Sequence, residues 1–155
     1  MALIKEIVLA SHNAGKLAEL QALFAPLGLV LIPQSQLNIP EAEEPFHTFV
    51  ENALAKARHA SRWSGLPALA DDAGLCVDAF DGAPGVQTAY YATQFGYEKS
   101  DDNNVTALLE QMQGITNRRA AMVSTLVALR SFDDPEPLYI DRSILMCNCM
   151  ADSSE

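Results

Sequence analysis

The stretch Ile7-Val8-Leu9-Ala10-Ser11-His12-Asn13-Ala14-Gly15-Lys16-Leu17-Ala18-Glu19-Leu20 decides how this chain folds. Ile7 to Ala10 has the character of a buried strand, and the segment from Leu17 to Phe24 reads as a helix. Between them lies a short polar loop with one Gly and one Lys. Such a loop is a ready phosphate cradle, because the free N–H groups of the first helical turn and the helix dipole favour an anion, and Lys16 adds a mobile positive charge. An ordinary strand–helix turn, with Ser11 or Asn13 capping the helix, is the competing reading, and the loop alone leaves both open. It is not a Walker A loop. Ala10 stands where that motif needs Gly, and Leu17 stands where it needs the Ser or Thr hydroxyl that holds magnesium.

Working outward, residues 4–10 read as a strand, 17–25 as a helix ended by Pro26 and Gly28, and 29–32 as a second strand. Residues 34–45 form a polar loop with two prolines and the acidic cluster Glu41, Glu43 and Glu44. A long helix is predicted over 46–64. Its apolar stripe is Phe46, Phe49/Val50, Ala53/Leu54, Ala57, Ala60 and Trp63, and capping-box spacing at Thr48 and Glu51 places its start near Thr48. Residues 66–70 read as a short strand that ends at Asp71-Asp72, 75–80 as another strand closed by the turn Asp81-Gly82-Ala83-Pro84-Gly85, 103–112 as a helix and 120–129 as a buried strand. Interleaved strands and helices, with strands that barely alternate, predict an α/β domain with a covered sheet.

The chain has 155 residues, enough for one domain with a sizeable core. Its net charge of −10 opposes binding to a nucleic acid polymer, which needs a broad basic face. A small anion is not excluded, because a divalent cation and a few donors invert the local potential. No apolar run approaches the roughly 18 residues of a membrane span, and the first residues lack a secretory pattern, so a cytoplasmic protein without membrane association is expected. Three cysteines give no disulfide framework, and Cys147 and Cys149 have no partner pair or nearby His for zinc; free thiols are expected.

The acidic pairs Asp71-Asp72 and Glu43-Glu44 carry the chemistry. In extended chain the two aspartates point to opposite faces, so one can line a site while the other braces the loop. A strand end is where α/β folds place ligands. Magnesium takes one or two protein carboxylates and completes its octahedron with phosphate and water. The plainer alternative is an acidic cap and a solvated turn. Lys56 shares a helix face with Asn52, where a solvated surface lysine is the common case. His47 and His59 read as helix-surface residues and His12 as a loop residue offering its backbone. Ser11 has no identifiable His/Asp partner, which argues against a nucleophilic serine.

Four motifs in order, Ser11-His12-Asn13-Ala14-Gly15-Lys16-Leu17-Ala18-Glu19, Phe49-Val50-Glu51-Asn52-Ala53-Leu54-Ala55-Lys56-Ala57, Leu69-Ala70-Asp71-Asp72-Ala73-Gly74-Leu75 and Gly82-Ala83-Pro84-Gly85, strongly resemble the inosine/xanthosine triphosphate pyrophosphatase family. The resemblance implies an elongated mixed sheet flanked by helices, with a cleft between two lobes, usually as a homodimer. It implies magnesium-dependent hydrolysis of ITP, dITP, XTP and dXTP to monophosphate and pyrophosphate. It assigns Ser11, His12, Asn13, Ala14, Gly15 and Lys16 to the triphosphate, Lys56 to a phosphate contact and the backbone of Ala73 to the substrate. Glu44 and Asp72 become the Mg²⁺ ligands, with Asp72 also the base that activates water.

The fit is continuous over residues 4–138, giving an expected domain at 1–138 and a tail at 139–155 to which no fold is assigned. Relatives usually have Ser at Ala73 and often Arg at Tyr90. They also continue into base-reading segments that the sequence from Tyr139 onward does not match. The resemblance therefore leads to the expectation of a truncated or frameshifted end that lacks part of the second lobe, weak activity and little base preference. A Maf-like nucleotide pyrophosphatase and a non-catalytic fragment acting as a dimer partner are the competing expectations.

Overall fold

The structure, a computed structural model, describes residues 4–11 and 13–146, with only the backbone of 142–146. His12, Cys147 and Cys149 lie outside the described residues. The elements run β1 (Glu6–Leu9), α1 (Ala14–Phe24), β2 (Val30–Pro33), α2 (Phe49–Ser64), β3 (Ala68–Val77), α3 (Asp101–Gln111), β4 (Ala120–Leu129) and β5 (Leu138–Met146). The five strands form one sheet in the order β2-β1-β3-β4-β5, and β1 pairs in parallel with both β2 and β3. This is an α/β fold, and β1–α1–β2 is its opening parallel unit. The fifth strand runs across the boundary drawn at residue 138. Its Tyr139-Ile140 and Ile144-Leu145-Met146 are residue types that suit a pleated surface.

The chain divides into two compact units, one built on residues up to Asp72 together with Thr125–Ile140, the other on Ala73–Ser124. In the first unit, Ala53, Ala57 and Ala60 of α2 pack with Val8, Ala10, Ala68, Ala70, Val127 and Leu129 of the strands. Small residues on helix and strand bring the two backbones close. On β1, β2 and β3, Leu9, Leu31 and Leu69 form a further cluster that takes in Leu17, Leu20 and Phe24 of α1. The second unit has its own core of Val77, Tyr91, Ala92, Ala107, Leu108, Met112 and Ala120.

Three expectations need correction. Residues 66–70 and 75–80 are not separate strands with an acidic pair at an end: β3 is continuous through Asp71 and Asp72, and residues 78–80 form a 3₁₀ turn. Trp63 does not join the apolar stripe of α2. It is 61% exposed and lies beside His59, while Ser61 takes the inward position and donates its hydroxyl to Leu66 O. The polar stretch before α3 holds a 3₁₀ helical segment, Gly85–Phe95, that buries Tyr91 and Ala92. The capping box does start α2, with Thr48 Oγ1 accepting from Glu51 N–H. Cys76 is a free thiol, and burial pushes its pKa up.

Candidate active site

The loop after β1 is fixed by its own short side chains. Ser11 Oγ accepts from Asn13 N–H at 3.1 Å, and Asn13, the N-cap of α1, accepts from Gly15 N–H at 2.9 Å and Lys16 N–H at 3.1 Å through Oδ1. The capped turn is therefore present in the structure, and it does not exclude the cradle. Asn13, Ala14 and Gly15 are exposed at the positive end of α1. An anion arriving there would exchange with a neutral carboxamide oxygen, and charged acceptors make the stronger hydrogen bonds.

Lys16 reaches from the first turn of α1 to Asp71, 55 residues away in sequence, and its Nζ forms a close ion pair with Oδ2. Asp71 and Asp72 are both buried, at 6% and 7% exposure. They lie just past the last β1–β3 partner pair, Leu9↔Leu69, so the ligand-side position expected of a strand end is kept although β3 itself continues. Alternation along the strand gives them opposite faces. Asp71 meets Lys16, which leaves Asp72 turned to the other side.

The second carboxylate–lysine pair comes from the loop before α2. Glu44 Oε1 lies 3.0 Å from Lys56 Nζ, with the lysine side chain 19% exposed and Glu44 38% exposed. That loop is held by a residue the sequence marks only as a polar group inside a helix. Asn52, 1% exposed, accepts from Phe46 N–H at 3.0 Å and donates to Phe46 O at 3.2 Å, pinning the chain two residues past Glu44. Asn52 and Lys56, one helical turn apart, thus grip the same loop. His59 fastens its earlier part through Nε2 to Pro40 O at 2.9 Å.

In the second unit, Ala73 is half-buried on β3, and Gly74 beside it is packed against Gly85 and Thr88. Tyr90 is 48% exposed with Lys99 Nζ 4.0 Å from its ring centroid, which places a cation on the residue where relatives were expected to have Arg.

The groups at hand suit Mg²⁺ in kind. Glu44 and Asp72 are hard oxygen donors, and among the described residues no group of three or more His, Cys, Asp or Glu could hold a metal by itself. Magnesium needs only one or two protein carboxylates when phosphate and water supply the rest.

Together these features define an α/β protein in which a lysine of the α1 N-terminus pairs with a buried carboxylate just past the last β1–β3 partner pair, and a second lysine–carboxylate pair ties α2 to the loop before it. The Ham1 family model matches residues 7–144, and the chain belongs to the Ham1 family. The dITP/XTP pyrophosphatase of Acidovorax sp. (strain JS42) is 78% identical over 133 residues, which cover 86% of this chain and 65% of that protein. That of Albidiferax ferrireducens is 77% identical over 133 residues, covering 86% and 67%. The chain thus spans about two thirds of the length of the curated relatives it matches. Among solved structures, a HAM1 protein from Coxiella burnetii matches with a TM-score of 0.85 at 40% identity, covering 92% of this chain and 72% of that one. The Staphylococcus aureus Ham1 protein matches with a TM-score of 0.79 at 34% identity, covering 91% and 70%. These likenesses favour the first of the expected readings over the Maf-like one.

Proposed function

We propose that the protein is a nucleoside triphosphate pyrophosphatase that hydrolyses ITP, dITP, XTP and dXTP to monophosphate and pyrophosphate. The observation that supports this most is the Lys16–Asp71 pair, which joins the loop at the α1 N-terminus to the residue next to Asp72. Relatives sharing more than three quarters of their residues over the matched span bear the name dITP/XTP pyrophosphatase.

In this reading the α1 N-terminus and Lys16 bind and orient the phosphate chain, with Ser11, His12, Asn13, Ala14 and Gly15 shaping the loop, and Lys56 adds a second charge. Asp72 accepts the proton of the attacking water while the water oxygen bonds to the α-phosphorus and the P–O bond to the departing pyrophosphate breaks. Glu44 and Asp72 would hold Mg²⁺, which when bound would supply neutralisation of phosphate charge and so a better pyrophosphate leaving group. The backbone of Ala73 lies beside the substrate without the hydroxyl that a serine would add. The groups assigned to this site are of the phosphate- and metal-binding kind, so they supply affinity for the triphosphate and little discrimination among bases. The homodimer and the cytoplasmic setting implied by the family resemblance complete the proposal.

The test is kcat/KM for ITP, XTP, GTP, ATP and UTP with Mg²⁺, read as pyrophosphate release, with the mass in solution measured in parallel. Pyrophosphate release from purine triphosphates with little spread among bases is expected. Preference for UTP would replace this reading with the Maf-like one, and a strong preference for ITP over GTP would show that these residues read the base.

A further inference from the structure

Both lysines given to phosphate already hold a carboxylate: Lys16 holds Asp71 and Lys56 holds Glu44. The two pairs differ in kind. Asp71 is buried in the middle of a central strand and on the opposite face from Asp72, so it has no second role to move to. Glu44 sits on a loop, 38% exposed, and is the residue assigned to the metal. Its neighbour Phe46 is pinned at the backbone by Asn52, so the carboxylate can change partner by side-chain rotation alone while the loop stays in place.

We propose that the Lys56–Glu44 pair is a resting clasp that makes metal and triphosphate binding mutually favourable. The inference rests on the assignment of Glu44 to metal and Lys56 to phosphate made above. In the ligand-free protein each group blocks the other's ligand: the ammonium competes with Mg²⁺ for Glu44, and the carboxylate competes with phosphate for Lys56. Whichever ligand arrives first breaks the pair and leaves the other partner available, so the cost of breaking it is met once for two ligands. Linkage makes the effect reciprocal. The Lys16–Asp71 pair lacks this property, because neither of its partners is assigned to the metal, and it serves to aim Lys16.

The clasp is tested by calorimetry on the full chain with two probes kept apart, since they bind each other in solution. In EDTA, with inorganic triphosphate, Glu44→Gln is expected to tighten binding about fivefold more in the parent background than in Lys56→Met, the factor set by a partly exposed ion pair. Removing a negative charge raises anion affinity in any background, and the comparison between backgrounds isolates the release of Lys56. With Mg²⁺ alone, Lys56→Met is expected to tighten binding by a similar factor, and Glu44→Gln to cancel that gain. Equal gains in both backgrounds, or a loss of triphosphate affinity in Glu44→Gln, would overturn the clasp while leaving the phosphate reading standing. Unchanged triphosphate affinity in both Lys16→Ala and Lys56→Met would overturn that reading and the clasp with it. Both clasp substitutions are near-isosteric at partly exposed positions, and unchanged melting curves verify that the variants remain folded.

Discussion

Replacing Gly74 by Ala probes how tightly the strand after the acidic pair is held. A Cβ there would lie 2.2 Å from Gly85 O, 2.7 Å from Thr88 Oγ1 and 3.0 Å from Gly85 C. Ordinary contact begins about 1 Å further out. The obstacle is backbone, and it is tied down: Thr88 donates to Gly85 O at 2.6 Å and accepts from Leu75 N–H at 2.8 Å. Moving Gly85 away strains or breaks both bonds, at about 1 kcal/mol each. Overpacking adds roughly 1–3 kcal/mol, and the lower entropy of the unfolded alanine chain returns about 0.5–1 kcal/mol. The net loss is about 2–4 kcal/mol, a large share of a typical domain's stability. At roughly 2–4 °C per kcal/mol, Tm falls by about 5–15 °C. Gly28→Ala is the contrast. Gly28 has φ +70° and nothing within 4 Å of its would-be Cβ, so only about 1–2 kcal/mol of backbone strain is expected. The assay is urea and thermal unfolding of both variants. A Gly74→Ala Tm within about 2 °C of the parent, or equal losses in the two variants, would refute the packing argument.

Lys16→Ala removes the charge-assisted phosphate contact proposed for Lys16, worth about 1.5–3 kcal/mol, so Kd for metal-free inorganic triphosphate should rise at least tenfold by calorimetry. Asn52→Ala leaves the Phe46 N–H and C=O without their partner; denaturant melts should show a loss of about 1–3 kcal/mol, and Mg²⁺ affinity should fall as the Glu44 loop loosens. Arg130 Nη2 lies 2.5 Å from Asp134 Oδ1, and this guanidinium, with the Arg130 N–H, holds the Asp134 carboxyl well below the usual carboxylate range. Because the folded pKa is the lower one, the stabilisation is present above the ordinary Asp value and is lost as pH falls below it. Unfolding followed by circular dichroism at several pH values should therefore show the parent's advantage over Asp134→Asn shrinking from about pH 4 toward pH 2. An advantage constant down to pH 2 would contradict the assignment.

Much of the scaffold is legible because local signals agree with the tertiary result. Thr48 and Glu51 mark the start of α2, and Pro26 and Gly28 mark the end of the α1 region. Ala120–Leu129 reads as a strand and is one. What escaped depends on distant partners. Asp71, Asp72 and Gly74 disfavour strand locally, yet β3 runs through them past the end of β1, with β4 as its other neighbour in the sheet and Lys16 balancing Asp71. The 3₁₀ segment Gly85–Phe95 leaves no 3.6-residue period to detect. At the candidate site, the residue types and their order are visible in the sequence, but their pairing is not: the Lys16–Asp71 contact spans 55 residues. Asn52 could have been suspected as a polar residue bordering an apolar helix stripe, and its grip on Phe46 explains why it is there.

The measurement that bears most directly on the central claim is product analysis of ITP incubated with the 155-residue protein and Mg²⁺, by phosphorus NMR, alongside Asp72→Asn. That substitution preserves shape while removing the proposed metal ligand and the proposed base together. Inosine monophosphate and pyrophosphate are expected in equal amounts, formed by the parent and not by Asp72→Asn. Orthophosphate with inosine diphosphate, no turnover by the parent, or undiminished turnover by Asp72→Asn would contradict it.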